Sequence, residues 1–524
     1  MALAHRKVLW ADDEIDMLRP HILYLRSKGY EVEAVSNGED ALEFLAKDRF
    51  DVLLLDEMMP GMGGIATLGA VQERHPSLPV IMITKSEEEH LMDQALGRQI
   101  RDYLTKPVNP SQIFLAIKKL FESESLQRSQ RTRDYIAEFR ETVALRHGAL
   151  SPRDWLDLYN RVVGWDVELH GIEDQSLAQT HQDQRTQLNR EFSRFVEKSY
   201  PTWVHAKREE RPTLSTDVVR EYVLPHVRAG RKVALVVIDC MRLDQWTTLG
   251  PLLEPYFDLK TDLYYSILPT ATPYSRNAIF AGLFPLEIQR KYPEYWQDEK
   301  EKETGRNRYE AELLQKLTAR EGLDPDLIRY QKIYTQTEGN NLRKKIGALG
   351  EVRFHAFVFN FLDMLSHGRA ESEILQELAP DEEAFRGLLR SWFQHSVLFE
   401  VLRVLSRRDT VVVVTTDHGA VLVRRASEVL GNRDTTTSVR YKYGDNLVCD
   451  EREAFHVKEP ESVLLPRDGL LKQYILAKEN FYFVYPTNFH KYERQYRGSF
   501  QHGGISLEEM ILPVATLMPR ASTT

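Results

Sequence analysis

At 524 residues the chain is too long for one ordinary domain, and about 150 residues per domain gives three or four. Apolar residues make up 42%, charged 28% and aromatic 10%, with 27 Gly and 23 Pro; this composition supports several packed cores and excludes global disorder, collagen-like and low-complexity structure. A net charge of −9 argues against a generally basic nucleic-acid coat, and two cysteines, Cys240 and Cys449, exclude a disulfide framework or a Cys-based zinc finger.

The opening MALAHRKVLWADDEID interrupts its apolar run with acids at once, unlike a signal peptide, and no stretch reaches the ~20 apolar residues of a membrane span. A soluble, cytoplasmic, reduced protein without membrane insertion is expected. Lys7–Ala11 is a short buried run, Ile15–Leu25 carries apolar residues at helical spacing before Gly29, and Tyr30–Val35 has a strand pattern. Asn37 is placed to cap a helix holding Ala41, Leu42, Phe44 and Leu45. Val52–Leu55, Pro79–Thr84 and Asp102–Pro107 supply further strands, and Pro110 opens a last helix through Phe121. This alternation of strands and helices predicts a doubly wound parallel sheet, which gathers function at the carboxyl ends of its strands.

Asp12 and Asp13 follow the first of those strands, Asp56 ends the third, Thr84 the fourth and Lys106 the fifth. One Asp at a strand end is commonplace, because Asp favours turns and caps. Carboxylates brought together repel one another unless a cation sits among them, and an all-oxygen set suits Mg²⁺. Asp56 is then a phosphoryl acceptor, with Mg²⁺ and Lys106 neutralising the dianion and the Thr84 hydroxyl bonding one phosphoryl oxygen.

This segment, with ADDE, LLLDEMMPGMGG, MIT and YLTKPV in order, resembles a response-regulator receiver domain of flavodoxin-like fold. The resemblance implies Mg²⁺ held by Asp13, Asp56 and the Met58 backbone carbonyl, with Asp12 acting mostly through water, and makes Tyr103 the aromatic switch. Lys85 departs from the small residue common in receivers. A long side chain beside the acylphosphate obstructs water, so slow self-dephosphorylation is expected.

From Glu122 to about Lys207 the strand signal vanishes. ESESLQRSQRTRDYIAEFRETVALRH is charged with helical spacing; Ser151-Pro152 reads as an N-cap and first turn, with Trp155, Tyr159, Val162 and Val163 on one face. A third helix carries Leu188, Phe192, Phe195 and Val196. Such stripes predict a small three-helix bundle, serving either as a rigid spacer or as a dimerisation and relay element. The segment holds no convincing helix-turn-helix. The expected domains are thus 1–122, a receiver; 123–207, the bundle; and 208–524, an output domain.

In the output domain KVALVVIDCMRLDQW places a buried strand before Asp239. LPTATPYSRNAIFAGLFP, FHAFVFNFLDMLSHG, VVVVTTDHGA and QHGGISLEEMILP follow. The donors just past these runs are Asp239, Asp363, His367, Asp417, His418 and His502, with the Thr272 hydroxyl. Mixed Asp and His donors suit Zn²⁺ or Mn²⁺ and exceed what one tetrahedral zinc needs, so two metals are expected. Three carboxylates plus a Thr272 alkoxide total −4, which two divalent cations cancel. Asp363 and His367 share a face of a helical turn or chelate from a tight loop. Arg276 and Lys442 are candidate phosphate donors, and Tyr274, Tyr441 and Tyr443 are candidates for base stacking or for plain packing.

The order Asp, hydroxyl nucleophile, DxxxH, DH and last His resembles the alkaline phosphatase superfamily, closest to its PglZ-type branch through ATPYSRNAIFAG, VRYKYG and HGGISLEEMILP. That resemblance implies one metal on Asp239, Thr272, Asp417 and His418, and another on Asp363, His367 and His502. It implies in-line attack by Thr272 and hydrolysis of the phosphothreonine with overall retention. Sulfatase chemistry is disfavoured, since Thr272 stands where Cys or Ser is needed for formylglycine.

The whole arrangement resembles the PorX-type regulators of type IX secretion systems. It implies a phosphodiesterase acting on linear or cyclic nucleotides, phosphorylation by a sensor histidine kinase, and dimerisation on phosphorylation. It also implies contact with an extracytoplasmic-function sigma factor and a secretion motor component. The competing reading is a non-catalytic signalling scaffold with structural zinc.

Overall fold

Continuous apolar runs bounded by turns become strands buried on both faces, and this happens twice along the chain. The computed structural model describes residues 6–84, 100–145, 150–169, 175–296, 307–346, 352–432, 435–436 and 438–520. It divides into two compact units, Met1–Glu141 and Thr142–Thr524.

In the first unit β1 (Arg6–Ala11), β2 (Tyr30–Val35), β3 (Val52–Asp56), β4 (Val80–Thr84) and β5 (Ile100–Thr105) form a parallel sheet in the order β2-β1-β3-β4-β5. Period-2 alternation sorts the side chains. Val8, Trp10, Leu54, Ile81 and Ile83 pack with Ile113, Ile117 and Leu120, while Leu9, Leu53, Leu55, Val80 and Met82 pack with Ala41, Leu45, Leu68 and Val71. The helices are α1 (Arg19–Ser27), α2 (Gly38–Lys47), α3 (Gly64–Arg74) and α4 (Pro110–Leu145). Asn37 caps α2 as expected, its Oδ1 accepting from Asp40 N at 2.8 Å.

Two boundaries differ from the sequence reading. α1 starts at Arg19 with Pro20 in its first turn, although Ile15 and Leu18 still pack on the core; apolar spacing reports burial, which an irregular turn also provides. α4 runs for 36 residues, past the expected stop at Phe121, because no Gly or Pro interrupts it.

In the second unit α5 (Pro152–Glu168) opens on a Ser151–Asp154 capping box, and α6 (Gln175–Trp203) follows. Their stripes of Trp155, Tyr159, Val162, Leu188, Phe192 and Val196 share a core with Tyr265, Ile267, Tyr274, Leu507 and Met510 of the output domain. These helices therefore bury their apolar faces on each other and on the following sheet domain. The stripe predicts that a face is covered, not by what.

That domain is built on a six-stranded sheet of β6 (Lys232–Ile238), β7 (Phe257–Tyr265), β8 (Ile328–Ile333), β9 (Phe354–Phe359), β10 (Thr410–Thr415) and β11 (Ile511–Pro519), ordered β7-β11-β10-β6-β9-β8. β10, β6, β9 and β8 are parallel, with Thr415 opposite Val237 and Ile238 opposite Phe359, so their carboxyl ends fall level on one edge. α7 (Leu243–Leu249), α8 (Thr272–Ala281), α9 (Glu310–Arg320) and α10 (Phe361–Glu371) are among the covering helices. A smaller antiparallel sheet joins Tyr441–Asp445, Lys472–Ala477 and Ala454–Val457. No helix among the described residues is long and apolar enough to cross a membrane.

Candidate metal centres and candidate nucleophile

The receiver-like sheet brings Asp12, Asp13 and Asp56 to one edge, with carboxylate oxygens within 4.8 Å of one another. Asp12 and Asp56 are buried, and Lys106 Nζ lies 3.1 Å from Asp12 Oδ2 and 3.1 Å from Asp56 Oδ1. Burial raises the Asp56 carboxyl to about 6, opposed by the Lys106 bond and reinforced by Asp12 and Asp13. An all-oxygen cradle this rich in negative charge fits a hard cation such as Mg²⁺. Thr84 is buried at the end of β4, Tyr103 lies on β5, and Met58 follows β3 with its side chain exposed. Lys85 lies outside the described residues.

In the second unit, the level ends of β6, β9 and β10 deliver Asp239, Asn360 and Asp417-His418. Cys240 turns the chain sharply at φ 66°, a left-handed value unusual for a side-chain-bearing residue. Asp239 Oδ2 accepts from Arg276 Nη1 and Asn360 Nδ2, both at 2.6 Å, while Asp417 Oδ1 accepts from Cys240 N at 3.4 Å. Their other oxygens, Asp239 Oδ1 and Asp417 Oδ2, are buried without hydrogen-bond partners among the described residues. They lie 3.8 and 3.6 Å from His418 Nε2, and the three residues form one cluster. Buried acceptors aimed at one point beside an imidazole fit a divalent transition metal.

Electrostatics points the same way. Burial lifts Asp239 to about 8; Arg276 opposes this, and Asp417 and Asp363 add to it. Burial likewise raises Asp417 and lowers His418. Carboxylates this crowded stay ionised only when cations accompany them.

A second trio, Asp363, His367 and His502, lies alongside. Asp363 and His367 share a face of α10, Oδ1 to Nε2 3.4 Å, and His502 Nε2 is 3.8 Å from the same oxygen. The His418 and His502 rings stack at 4.2 Å, joining the trios. Burial would raise Asp363, but the bond from His367 and the charge of His502 hold it well below the usual carboxylate range. The first trio is buried, whereas the His367 side chain is half exposed.

Thr272 is the first residue of α8 and the one residue of that helix not buried. Its Oγ1 is 2.9 Å from His418 Nε2. His418 Nδ1 lies 3.1 Å from Gly419 O; as a donor there, it leaves the Nε2 lone pair facing the threonine and the carboxylates. Thr270 ties this corner to the last histidine loop, donating to Gly504 O at 2.7 Å and accepting from Gly503 N at 3.1 Å. Gly503 has φ +120°, and a Cβ on Gly504 would come within 2.3 Å of Ala477 O, which accounts for the paired glycines after His502.

Thus the structure brings together Asp239, Thr272, Asp417 and His418, and beside them Asp363, His367 and His502. The two phosphate-binding candidates already have partners within the chain. Arg276 is buried, its guanidinium engaged by Asp239 and, through Nε at 2.7 Å, by Glu310. It orders the Asp239 carboxylate. Lys442 Nζ bonds Thr436 O at 3.0 Å and sits 4.9 Å over the Tyr485 ring. Strand alternation that sends Tyr441 and Tyr443 into the core with Tyr274 sends Lys442 to the opposite face, away from α8. All three tyrosines are buried packing residues.

Sequence reasoning missed Asn360 and Glu310. Glu310 is fully buried, taking Arg276, Lys332 Nζ at 2.9 Å, and the Tyr330 hydroxyl. On α9 it reads as one more surface acid.

Comparison with known proteins decides the family. The BREX system PglZ alkaline phosphatase-like domain matches residues 218–517, more than half of the chain. The chain belongs to the PglZ family. In this PglZ-family chain the response regulator receiver domain matches 8–118 and the PorX response regulator linker domain 125–204, the order of a PorX-type response regulator. Among curated proteins it is similar to transcriptional regulatory protein ResD of Bacillus subtilis, 33% identical over 119 residues, 23% of this chain and 49% of that protein. It is also similar to transcriptional regulatory protein SrrA of Staphylococcus aureus, 30% identical over 137 residues, 26% of this chain and 56% of that one. The chain thus spans about half the length of these relatives. Solved structures similar to it include chemotaxis protein CheY4 of Vibrio cholerae, 33% identical with TM-score 0.21, covering 22% of this chain and 98% of that one. The response regulator TrrA of Thermotoga maritima in complex with Mg(2+)-BeF is 25% identical with TM-score 0.21, covering 22% and 98%.

Proposed function

We propose that this response regulator has a two-metal phosphodiesterase as its output, with Thr272 as nucleophile and linear or cyclic (oligo)nucleotides as substrates. The observation that carries the reading is Thr272 Oγ1, on a partly exposed residue at a helix N-terminus, 2.9 Å from His418 Nε2 and beside two Asp/His trios.

Asp239, Thr272, Asp417 and His418 would hold one Zn²⁺, and Asp363, His367 and His502 the other, with Mn²⁺ as the alternative ion. When bound, such ions acidify the threonine hydroxyl and neutralise charge gathering on the phosphoryl oxygens. The chain itself supplies position. His418 Nε2 and Thr272 Oγ1, 2.9 Å apart, would both face the one ion, and the N-terminus of α8 presents the positive end of its dipole to an incoming phosphoryl group. Oγ1 forms a bond to phosphorus as the bond to the leaving oxygen breaks, and water then cleaves the phosphothreonine with overall retention.

In the receiver, Asp56 would accept the phosphoryl group from a sensor histidine kinase, with Mg²⁺ on Asp12, Asp13, Asp56 and the Met58 carbonyl. Thr84, Tyr103 and Lys106 would form the switch, and dimerisation would follow phosphorylation. Residues 1–122, 123–207 and 208–524 are the proposed receiver, middle and output divisions. A cytoplasmic location and links to type IX secretion, an extracytoplasmic-function sigma factor and a secretion motor component belong to the same proposal. The half-exposed His367 side chain speaks against the scaffold reading, since structural zinc sites are closed.

The test is nitrophenol release from a nitrophenyl phosphodiester by metal-replete protein. It is expected to be abolished in Thr272→Ala and retained at a lower rate in Asp56→Ala. Wild-type turnover in Thr272→Ala contradicts the mechanism.

A further inference from the structure

Arg185, on α6 of the middle region, is sequestered among three carboxylates from different parts of the second unit. Its Nη1 lies 3.3 Å from Asp166 Oδ1 of α5 and 2.9 Å from Glu382 Oε2; its Nη2 lies 2.9 Å from Glu508 Oε1. Asn189, one turn further along α6, also grips Glu508, donating from Nδ2 to both oxygens at 3.1 and 3.0 Å, and accepts from Leu507 N at 2.8 Å. Ser193, a turn beyond, donates to Ile505 O at 3.2 Å. One face of a middle-region helix thus holds the segment just after His502.

From Glu508 the contact continues inward by close packing. The Glu508 carbonyl lies so near Gly419 that a Cβ there would be 1.9 Å away, and Gly419 N donates to Glu509 O at 3.2 Å. Gly419 O faces His418 Nδ1 at 3.1 Å, and His418 Nε2 faces Thr272 Oγ1 at 2.9 Å. A second branch runs from Glu382 to Arg242 Nη1 at 2.9 Å, three residues after Asp239. Every step is a hydrogen bond or a backbone contact without slack, so displacement of Glu508 must be taken up at His418 or by local strain.

We propose that Arg185 is a positioning residue through which the middle-region helix sets the His418 loop, and with it the aim of the Thr272 hydroxyl. The proposal rests on the metal-site reading above. It gives the middle region a role beyond spacing, because a small change in α6 alters the geometry of the chemical site without touching substrate. Arginine suits this position, since one planar fork serves three acceptors at fixed angles, which a lysine point charge does not reproduce.

The experiment uses the full chain with Arg185→Met, Arg185→Lys and Asn189→Ala, loaded with Co²⁺ and read by its visible absorption. kcat and KM on a nitrophenyl phosphodiester and thermal unfolding are measured alongside. Arg185→Met is expected to lower kcat at least tenfold per folded chain with KM within twofold, and to change the Co²⁺ spectrum; Arg185→Lys restores part of both. Asn189→Ala, which keeps the charge cluster, shows a smaller change in the same direction and carries the test if Arg185→Met does not fold. Variants that lose only thermal stability, with wild-type kcat and spectrum per folded chain, overturn the proposal. If wild-type protein turns over no diester, the phosphodiesterase reading fails, while the Co²⁺ spectra still decide whether Arg185 sets the site.

Discussion

Gly419→Ala is the smallest change aimed at the junction between the proposed nucleophile and its support. The added methyl would stand 1.9 Å from Glu508 O, and contacts under 3.0 Å do not occur, so the loop must open by at least about 1 Å. Gly419 N already bonds Glu509 O at 3.2 Å, and Gly419 O faces His418 Nδ1, so the movement falls on the imidazole. Overpacking of this kind costs about 1–3 kcal/mol. A displacement near 1 Å at a reacting group costs on the order of 100-fold in rate. Diester hydrolysis at saturating substrate, zinc content and urea unfolding of the same preparation separate the two effects. A variant with full zinc content and kcat within twofold of wild type would refute the reasoning.

Burial and charge set four further expectations. Asp239, raised to about 8, keeps its proton in the metal-free folded state while the unfolded chain loses it near 4, so metal-free protein should lose stability as pH rises from about 4 to 8. Zinc binding at pH 6.5 should release more protons than at pH 9, as calorimetry in buffers of different ionisation enthalpy will show; equal release contradicts this. Asp56 has the same sign, its carboxyl raised to about 6, so Asp56→Asn should raise the receiver's melting temperature at pH 8 without Mg²⁺ and remove the gain from added Mg²⁺. An unchanged melt would argue against a repulsive cluster. Phe192→Ala, in the core that α6 shares with the output domain, should destabilise the second unit by about 3–5 kcal/mol in urea and leave Mg²⁺-dependent phosphorylation of the receiver unaltered.

The legible part of this protein is what lies just past a fully buried strand. VVVVTTDHG, VALVVIDC and FHAFVFNFLD each run apolar and then stop at the residues of the proposed site. A parallel sheet buried on both faces leaves only its strand ends free to do so. Partnership across the fold is not written locally. Arg276 and Glu310 are 34 positions apart and both buried, yet in the chain each reads as an ordinary surface charge. Lys442 escapes a local reading because its face depends on register, and a one-residue alternation decides whether it meets α8. Likewise the stripes of α5 and α6 announce a buried face without naming the surface that covers it.

The central claim is that two transition-metal ions sit around the Thr272 oxygen. Crystals of the full chain grown with zinc, measured on both sides of the zinc absorption edge, test it most directly. Two anomalous peaks are expected in the second unit, one among Asp239, Asp417 and His418 and one among Asp363, His367 and His502, with Thr272 Oγ1 in coordination range of the first. Peaks elsewhere, or a threonine oxygen turned away from occupied sites, would contradict it.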